Sequence, residues 1–138
     1  MKTLKQFAVN NHLKLQLTRV PFRQDRESIN EAWDKEASHW LYRIDVMQGE
    51  NYGKSAIKGY FSQGSAIKHK PTLEDILNSL SMDTQDLGDF VEWANNYGYD
   101  IDSIKANETY KACLEERRMV IGLLGQQGLD ELHECETL

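Results

Sequence analysis

The sequence predicts an α+β protein in which a small antiparallel sheet, in the N-terminal half, is covered by three to four helices from the C-terminal half. Apolar residues alternate with a period of two before residue 62, and the period changes to about 3.6 after Pro71. Strands followed by helices are typical of an α+β fold. The 138 residues are predicted to form a single domain. Its predicted parts are an N-terminal extension (1–37), a β-hairpin (38–62) and a helical layer (71–135).

Three segments with alternating apolar residues predict the strands of the sheet. Residues 13–17 carry leucines separated by single polar residues, which indicates a half-buried strand. Residues 40–47 and 55–62 show the same alternation and are predicted to pair as an antiparallel hairpin. The segment 48–53 between them contains two glycines, which supply turn conformations. Residues 22–38 are polar and are compatible with either a helical turn or a long loop.

Apolar stripes with helical spacing predict three helices after Pro71. They cover residues 73–80, 90–97 and about 103–125, and a last short turn is expected over 129–135. The predicted caps are Thr72, Gly98 and either Asp102 or Ser103.

The largest apolar residues on the predicted inner faces are expected to form the core. They come from both the hairpin and the helices, so their burial would pack the two halves together. These residues are Trp40, Ile44, Phe61, Leu77, Phe90, Trp93 and Leu124.

The charge of the chain is divided unevenly along its length. The net charge is -6, but residues 1–70 contain 12 lysines and arginines against 7 acidic residues, whereas residues 71–138 contain 4 against 15. Such an asymmetry indicates either an anionic partner for the first half and a basic partner for the second, or mutual attraction within one domain. No apolar run has the length of a membrane-spanning helix, so no membrane partner is expected. With two cysteines, no disulfide framework is predicted.

One candidate partner-binding surface is acidic. Several carboxylates lie outside the apolar stripes of the first two predicted helices and would form one negative surface if those helices pack side by side. Such a surface competes with phosphates for a basic groove, while the alternative is a solvated face that keeps the protein soluble. The residues are Glu74, Asp75, Asp83, Asp86, Asp89 and Glu92.

The alternative surface is basic and belongs to the hairpin and the loop that follows it. Lysines that contact phosphates, with an aromatic ring that stacks on bases, are typical of single-strand nucleic-acid binding. These residues are Lys54, Lys58, Tyr60, Lys68 and Lys70.

No motif in the sequence has the spacing of a metal or catalytic site. His133 and Cys135, with Cys113, are candidate zinc ligands, but no paired-cysteine or zinc-protease spacing accompanies them. Cys113 lies on an apolar stripe and is expected to be a buried, inert thiol. We therefore expect no metal, no cofactor and no catalytic residues.

Six short segments carry a resemblance to known proteins: residues 60–65, 71–77, 90–93, 97–103, 105–106 and 109–110. Through them, about two thirds of the chain resembles a group of small proteins encoded by bacteriophages and mobile elements. The resemblance implies an accessory protein in the cytoplasm of a bacterial host, and it transfers no site residue. Combined with the acidic surface, it leads us to expect a non-enzymatic inhibitor of a bacterial defence complex, similar to an anti-CRISPR protein. The partner would be a host protein or a ribonucleoprotein complex, and the oligomeric state is left open.

Overall fold

The computed structural model of the protein describes residues 2–20, 38–63 and 69–136. Within these ranges it is an α+β fold with a three-stranded antiparallel sheet and four helices, three of them in the C-terminal half, which confirms the predicted class. The connection over 22–37 and Lys68 lie outside the described residues. The elements are α1 (Leu4–Asn10), β1 (Leu13–Val20), β2 (Ser38–Val46), β3 (Ile57–Gln63), α2 (Leu73–Asp83), α3 (Phe90–Asn96) and α4 (Ile104–Glu134).

The sheet has the order β1-β2-β3, and both strand pairs are antiparallel. Ile44 at its centre lies opposite Leu15 on one side and Ile57 on the other, so these side chains share the inner face. The predicted hairpin is confirmed, although its strands begin or end one or two residues away from the predicted bounds. Gly49 and Gly53 in its turn have φ of 91° and 84°, a backbone region that favours glycine.

The side chain of Tyr42 crosses strand β3 at Gly59. The two residues are directly paired in the register, and a Cβ atom at position 59 would lie 2.6 Å from the Tyr42 hydroxyl oxygen. Only a glycine leaves room for this ring, which is why a residue of low strand propensity stands in the middle of β3.

Helix α1 is absent from the sequence prediction. Thr3 and Gln6 form a capping box at its start, while Leu4 and Phe7 enter the main core. Seven residues provide only two turns of periodicity, too few to predict a helix from the apolar pattern. A parallel bridge to Glu136 ties this end of the chain to the end of α4: Leu4 N donates to Glu136 O at 3.3 Å.

The predicted helix caps agree with the structure. Thr72 and Asp75 form a capping box on α2, and Ser103 rather than Asp102 caps α4. Helix α4 is interrupted at Gly125, where φ is 78° and ψ is 171°, so the predicted end of the third helix coincides with a kink. The helix resumes at once and runs to Glu134, in place of the expected short turn over 129–135.

The main core lies between the inner face of the sheet and helices α1, α2 and α4. A second cluster forms around Trp93 between α3 and the first half of α4. Ile44, Leu77 and Trp93 are buried as predicted. The other predicted core residues are half-buried: Trp40, Phe61, Phe90 and Leu124. Phe61 and Leu124 pack against the edge of the main core, and Phe90 packs against the second cluster.

Trp93 is the centre of the second cluster and is 4% exposed. Its ring packs against those of Phe90, Tyr99 and Tyr110 at centroid distances of 5.3–6.2 Å. We predict that Trp93→Ala lowers the free energy of unfolding by about 3–5 kcal/mol, as measured by chemical denaturation, because it leaves a cavity among these rings. Val91→Ala, on an exposed position of the same helix, is the control and should change it by less than about 0.5 kcal/mol. Equal effects of the two variants would contradict this assignment.

Candidate functional site

Two carboxyl groups and a thiol meet where α2 packs against α4. Asp83 is the last residue of α2, while Cys113 and Glu116 lie three residues apart on one face of α4. One oxygen of each carboxyl and the Cys113 sulfur all lie within 4.8 Å of one another. This set is called the acid–thiol cluster below.

The pKa values of both carboxyls of the cluster are raised, which favours one proton shared between them. Burial, followed by the neighbouring Asp83 charge, raises the pKa of Glu116 to about 8. Burial also raises the pKa of Asp83, opposed by hydrogen bonds from Glu116 and from the Ser79 hydroxyl. Since two carboxylates in contact repel each other, the lowest-energy arrangement has a protonated Glu116 that donates to the Asp83 carboxylate.

Burial also suppresses the ionisation of the other two groups near this pair. It raises the pKa of the Cys113 thiol to about 12, with further contributions from Asp83 and Glu116. Burial, followed by the charges of Glu116 and Asp83, also raises the pKa of Tyr42. The cluster therefore has neutral polar neighbours and a strongly negative potential.

A pocket of about 290 Å³ opens beside the cluster. Asp83 forms part of its wall, and His69 lies across from α2 with its Nε2 3.5 Å from Asp75 Oδ2. The pocket gives one side of the cluster access to solvent. Its lining residues are Phe61, His69, Asp75, Asn78, Ser79, Met82 and Asp83.

A second, larger groove of about 860 Å³ lies between the hairpin and α4, and it is basic. Arg43 forms two hydrogen bonds to Asp45, at 2.9 and 3.0 Å, and Arg118 pairs with Glu115. Lys54 and Lys58 have no ion-pair partner among the described residues. The groove is lined by Arg43, Gly53, Lys54, Ser55, Ala56, Lys58, Arg118, Met119 and Gly122.

The outer face of the sheet continues this basic surface. Lys58 and Tyr60 alternate with the inner residues of β3, so both belong to the outer face, where Arg43 of β2 is paired with Lys58. Tyr60 is 50% exposed, and its ring stacks on that of His39 at 5.6 Å. The His39 Nδ1 in turn lies 3.0 Å from the Ser62 hydroxyl, which holds the imidazole in place.

The acidic residues singled out from the sequence have several different surroundings. Asp75 belongs to the capping box of α2, Asp89 caps α3, and Asp83 turns towards Glu116. Asp86 and Glu92 are exposed. Glu74, in the first turn of α2, is half-buried. Three of the six carboxylates therefore hold local structure.

The histidine and cysteines considered as zinc ligands are not brought together. Among the described residues, the acid–thiol cluster is the one group of three or more such side chains with metal-ligand spacing. The Thr84 hydroxyl donates to Leu80 O at 2.7 Å, which leaves its oxygen to accept from His133 Nε2 at 2.8 Å. Burial lowers the pKa of His133.

Sequence reasoning missed the partnership of Asp83 and Glu116, although the sequence contains a signal for it. Asp83 follows Leu80 by three residues and therefore continues the apolar stripe of α2, and Glu116 lies between Cys113 and Val120 on the stripe of α4. A carboxylate on an apolar stripe indicates a buried acid. The contribution of Arg43 and Arg118 to the basic groove was also missed, because it depends on the packing of α4 beside the hairpin.

A scan against protein-family models finds no match to this chain, and neither a search of curated proteins nor a search of solved structures finds one. The resemblance to phage-encoded proteins therefore stays a prediction. None of the helices in the described ranges combines the length and hydropathy needed to cross a membrane. The structure itself defines an α+β protein with an acid–thiol cluster between α2 and α4 and a basic groove.

The raised pKa of Glu116 predicts a specific dependence of stability on pH. Its folded value of about 8 exceeds the reference value of 4.5, so the folded state holds this proton more tightly than the unfolded state does. The resulting stabilisation is fully present below the lower value and is lost as the pH rises through about 8. Because solvent screens this partly exposed pair, the free energy of unfolding should fall by about 1–3 kcal/mol over this pH range.

Glu116→Gln, which resembles the protonated acid, should remove most of this loss in denaturation experiments between about pH 5 and pH 9 with EDTA present. Glu108→Gln, an exposed position on the same helix, is the control and should follow the parent protein. If the stability of the parent protein and that of the Glu116→Gln variant change by the same amount between these pH values, the shared proton is contradicted.

Proposed function

We propose that this protein is a non-catalytic binding module that holds single-stranded nucleic acid on the basic groove and the adjoining outer face of the sheet. The observation that carries the proposal is the convergence of four cationic side chains from the hairpin and α4 on one groove. Lys58, which lines the groove, and Tyr60, whose ring is exposed, both belong to strand β3.

The cations divide into two functional pairs. Arg43 and Arg118 each have a carboxylate partner, so their guanidinium groups are held in fixed positions and partly neutralised. Lys54 and Lys58 are exposed and free of ion pairs within the described part of the chain, so they can neutralise phosphates without breaking an existing contact. The binding energy would therefore come chiefly from the lysines and from the counterions that they release.

Tyr60 supplies the second element that single-strand binding uses. Its stacking on His39 fixes the ring while leaving half of its surface exposed, so an unpaired base can stack on it at little entropic cost. A duplex offers no free base faces to such a ring. The combination favours single strands, recognised with little dependence on sequence.

A second candidate function is inhibition of a bacterial defence complex through the acidic surface. The supporting observation is that exposed acids alternate with exposed apolar side chains near α3. Asp86 and Glu92 are exposed, and so are Val91 and Tyr97. A protein partner with a basic and apolar surface would match this composition. Reversing Asp75, Asp83 or Asp89 would also remove local hydrogen bonds, so Asp86 and Glu92 are the informative positions.

Binding of a fluorescent single-stranded oligonucleotide, measured by anisotropy across a salt series, tests the first proposal. Lys54→Ala/Lys58→Ala should reduce the slope of log K against log salt by about 1.4, since each neutralised phosphate of a single strand contributes about 0.7. Tyr60→Ala should weaken binding by roughly 5- to 150-fold through lost stacking. Lys105→Ala/Lys111→Ala removes the same charge from exposed positions of α4 and should retain the parent slope.

The outcomes separate the two candidates. A parent protein without salt-dependent binding, or equal losses in both lysine pairs, would overturn the nucleic-acid proposal. The inhibitor candidate instead predicts that Asp86→Asn/Glu92→Gln loses protection of a plasmid against CRISPR targeting while Lys54→Ala/Lys58→Ala retains it. A parent protein that gives no protection would overturn that candidate.

A further inference from the structure

The acid–thiol cluster has the composition and spacing of an incomplete metal site. It offers one sulfur and two carboxyl oxygens from two helices that are packed together in the core, so its ligands are held by tertiary structure. A tetrahedral zinc ion with bonds of about 2.0–2.3 Å needs ligand atoms that lie about 3.3–3.7 Å apart. The three ligand atoms lie within 4.8 Å of one another, so side-chain movements of about 1 Å would bring them to the spacing of bound zinc.

The thiol of Cys113 is buried and has no hydrogen-bond partner among the residues that the structure describes. Cys113 is 8% exposed, and its sulfur takes part in no hydrogen bond within the described ranges. The other thiol, that of Cys135, donates to Glu131 O at 3.2 Å. The Cys113 sulfur faces two carboxyl groups, and together the three side chains offer a cation three ligand atoms.

The electrostatics of the cluster also favour a cation. No ion pair joins Asp83 or Glu116 to a lysine, arginine or histidine of the described residues. Asp83 ends α2, where the helix dipole adds negative potential. A bound divalent ion would neutralise both carboxylates in place of the shared proton.

We propose that Asp83, Cys113 and Glu116 bind a divalent transition-metal ion, with zinc as the ion that fits a mixed sulfur and oxygen set. Magnesium and calcium take oxygen ligands and would leave the sulfur unused. The pocket beside Asp83 gives the ion one side open to solvent, so a water molecule would occupy its fourth position. Sequence spacing predicts no metal site because these ligands come from two separate helices and match no motif.

Metal titration of the full chain after removal of metals with EDTA tests this proposal. Isothermal titration with zinc chloride should give one ion per chain, and cobalt(II) should produce the sulfur-to-metal charge-transfer absorption of a thiolate ligand. Cys113→Ser should abolish that absorption and weaken zinc binding at least about tenfold, as loss of even a supporting residue typically does. Cys135→Ser is the matched control and should retain both signals.

Glu116→Gln keeps the thiol and the size of the side chain, so it tests the site even where Cys113→Ser disturbs packing. It should weaken zinc binding at least about tenfold while the circular dichroism spectrum stays unchanged. A parent protein that binds no stoichiometric zinc would overturn the proposal and leave the proton as the only occupant. Retained affinity in Glu116→Gln, or loss of the cobalt band in Cys135→Ser, would overturn it as well. These results are independent of the lysines on which the proposed nucleic-acid surface depends.

Discussion

The rotational setting of α4 about its axis is the constraint on which the rest of the structure depends. This helix contributes side chains to both apolar clusters, since Val120 and Leu123 enter the main core and Ala106 enters the second cluster. Turning α4 would expose both sets at once, so their burial fixes its orientation. That orientation directs Glu116 towards α2 and places Arg118, two residues later, in the basic groove.

The same packing explains why two acids can lie in contact inside the fold. Burying two acids side by side is unfavourable. The apolar contacts that α2 and α4 make on either side of the two acids offset that cost. The pKa of Glu116, raised to about 8 by burial and by Asp83, favours a proton between the two carboxyls. Because the two acids lie in contact, a positive charge between them stabilises both, whether a proton or a metal ion supplies it.

Local patterns made the sheet predictable, and long-range packing made the site unpredictable. The hairpin follows from alternation around a glycine-containing turn, and the caps at Thr72 and Ser103 follow from residue type. Helix α1 is too short to show a period, and its stability comes from burial of Phe7 and from the bridge to the end of α4. The sequence places Asp83 on the candidate acidic partner-binding surface, because its partner, Glu116, is 33 residues away in sequence.

Site-resolved titration of the two carboxyl groups by NMR, on the metal-free protein, tests the central claim most directly. The buried pair predicts that the side-chain carboxyl of Glu116 titrates with a midpoint near 8, well above its reference value of 4.5. In Asp83→Asn, where the neighbouring charge is gone, that midpoint should fall, because part of the shift comes from Asp83. A Glu116 midpoint near 4.5 in the parent protein would contradict the packing of α4 against α2 that places these two acids together.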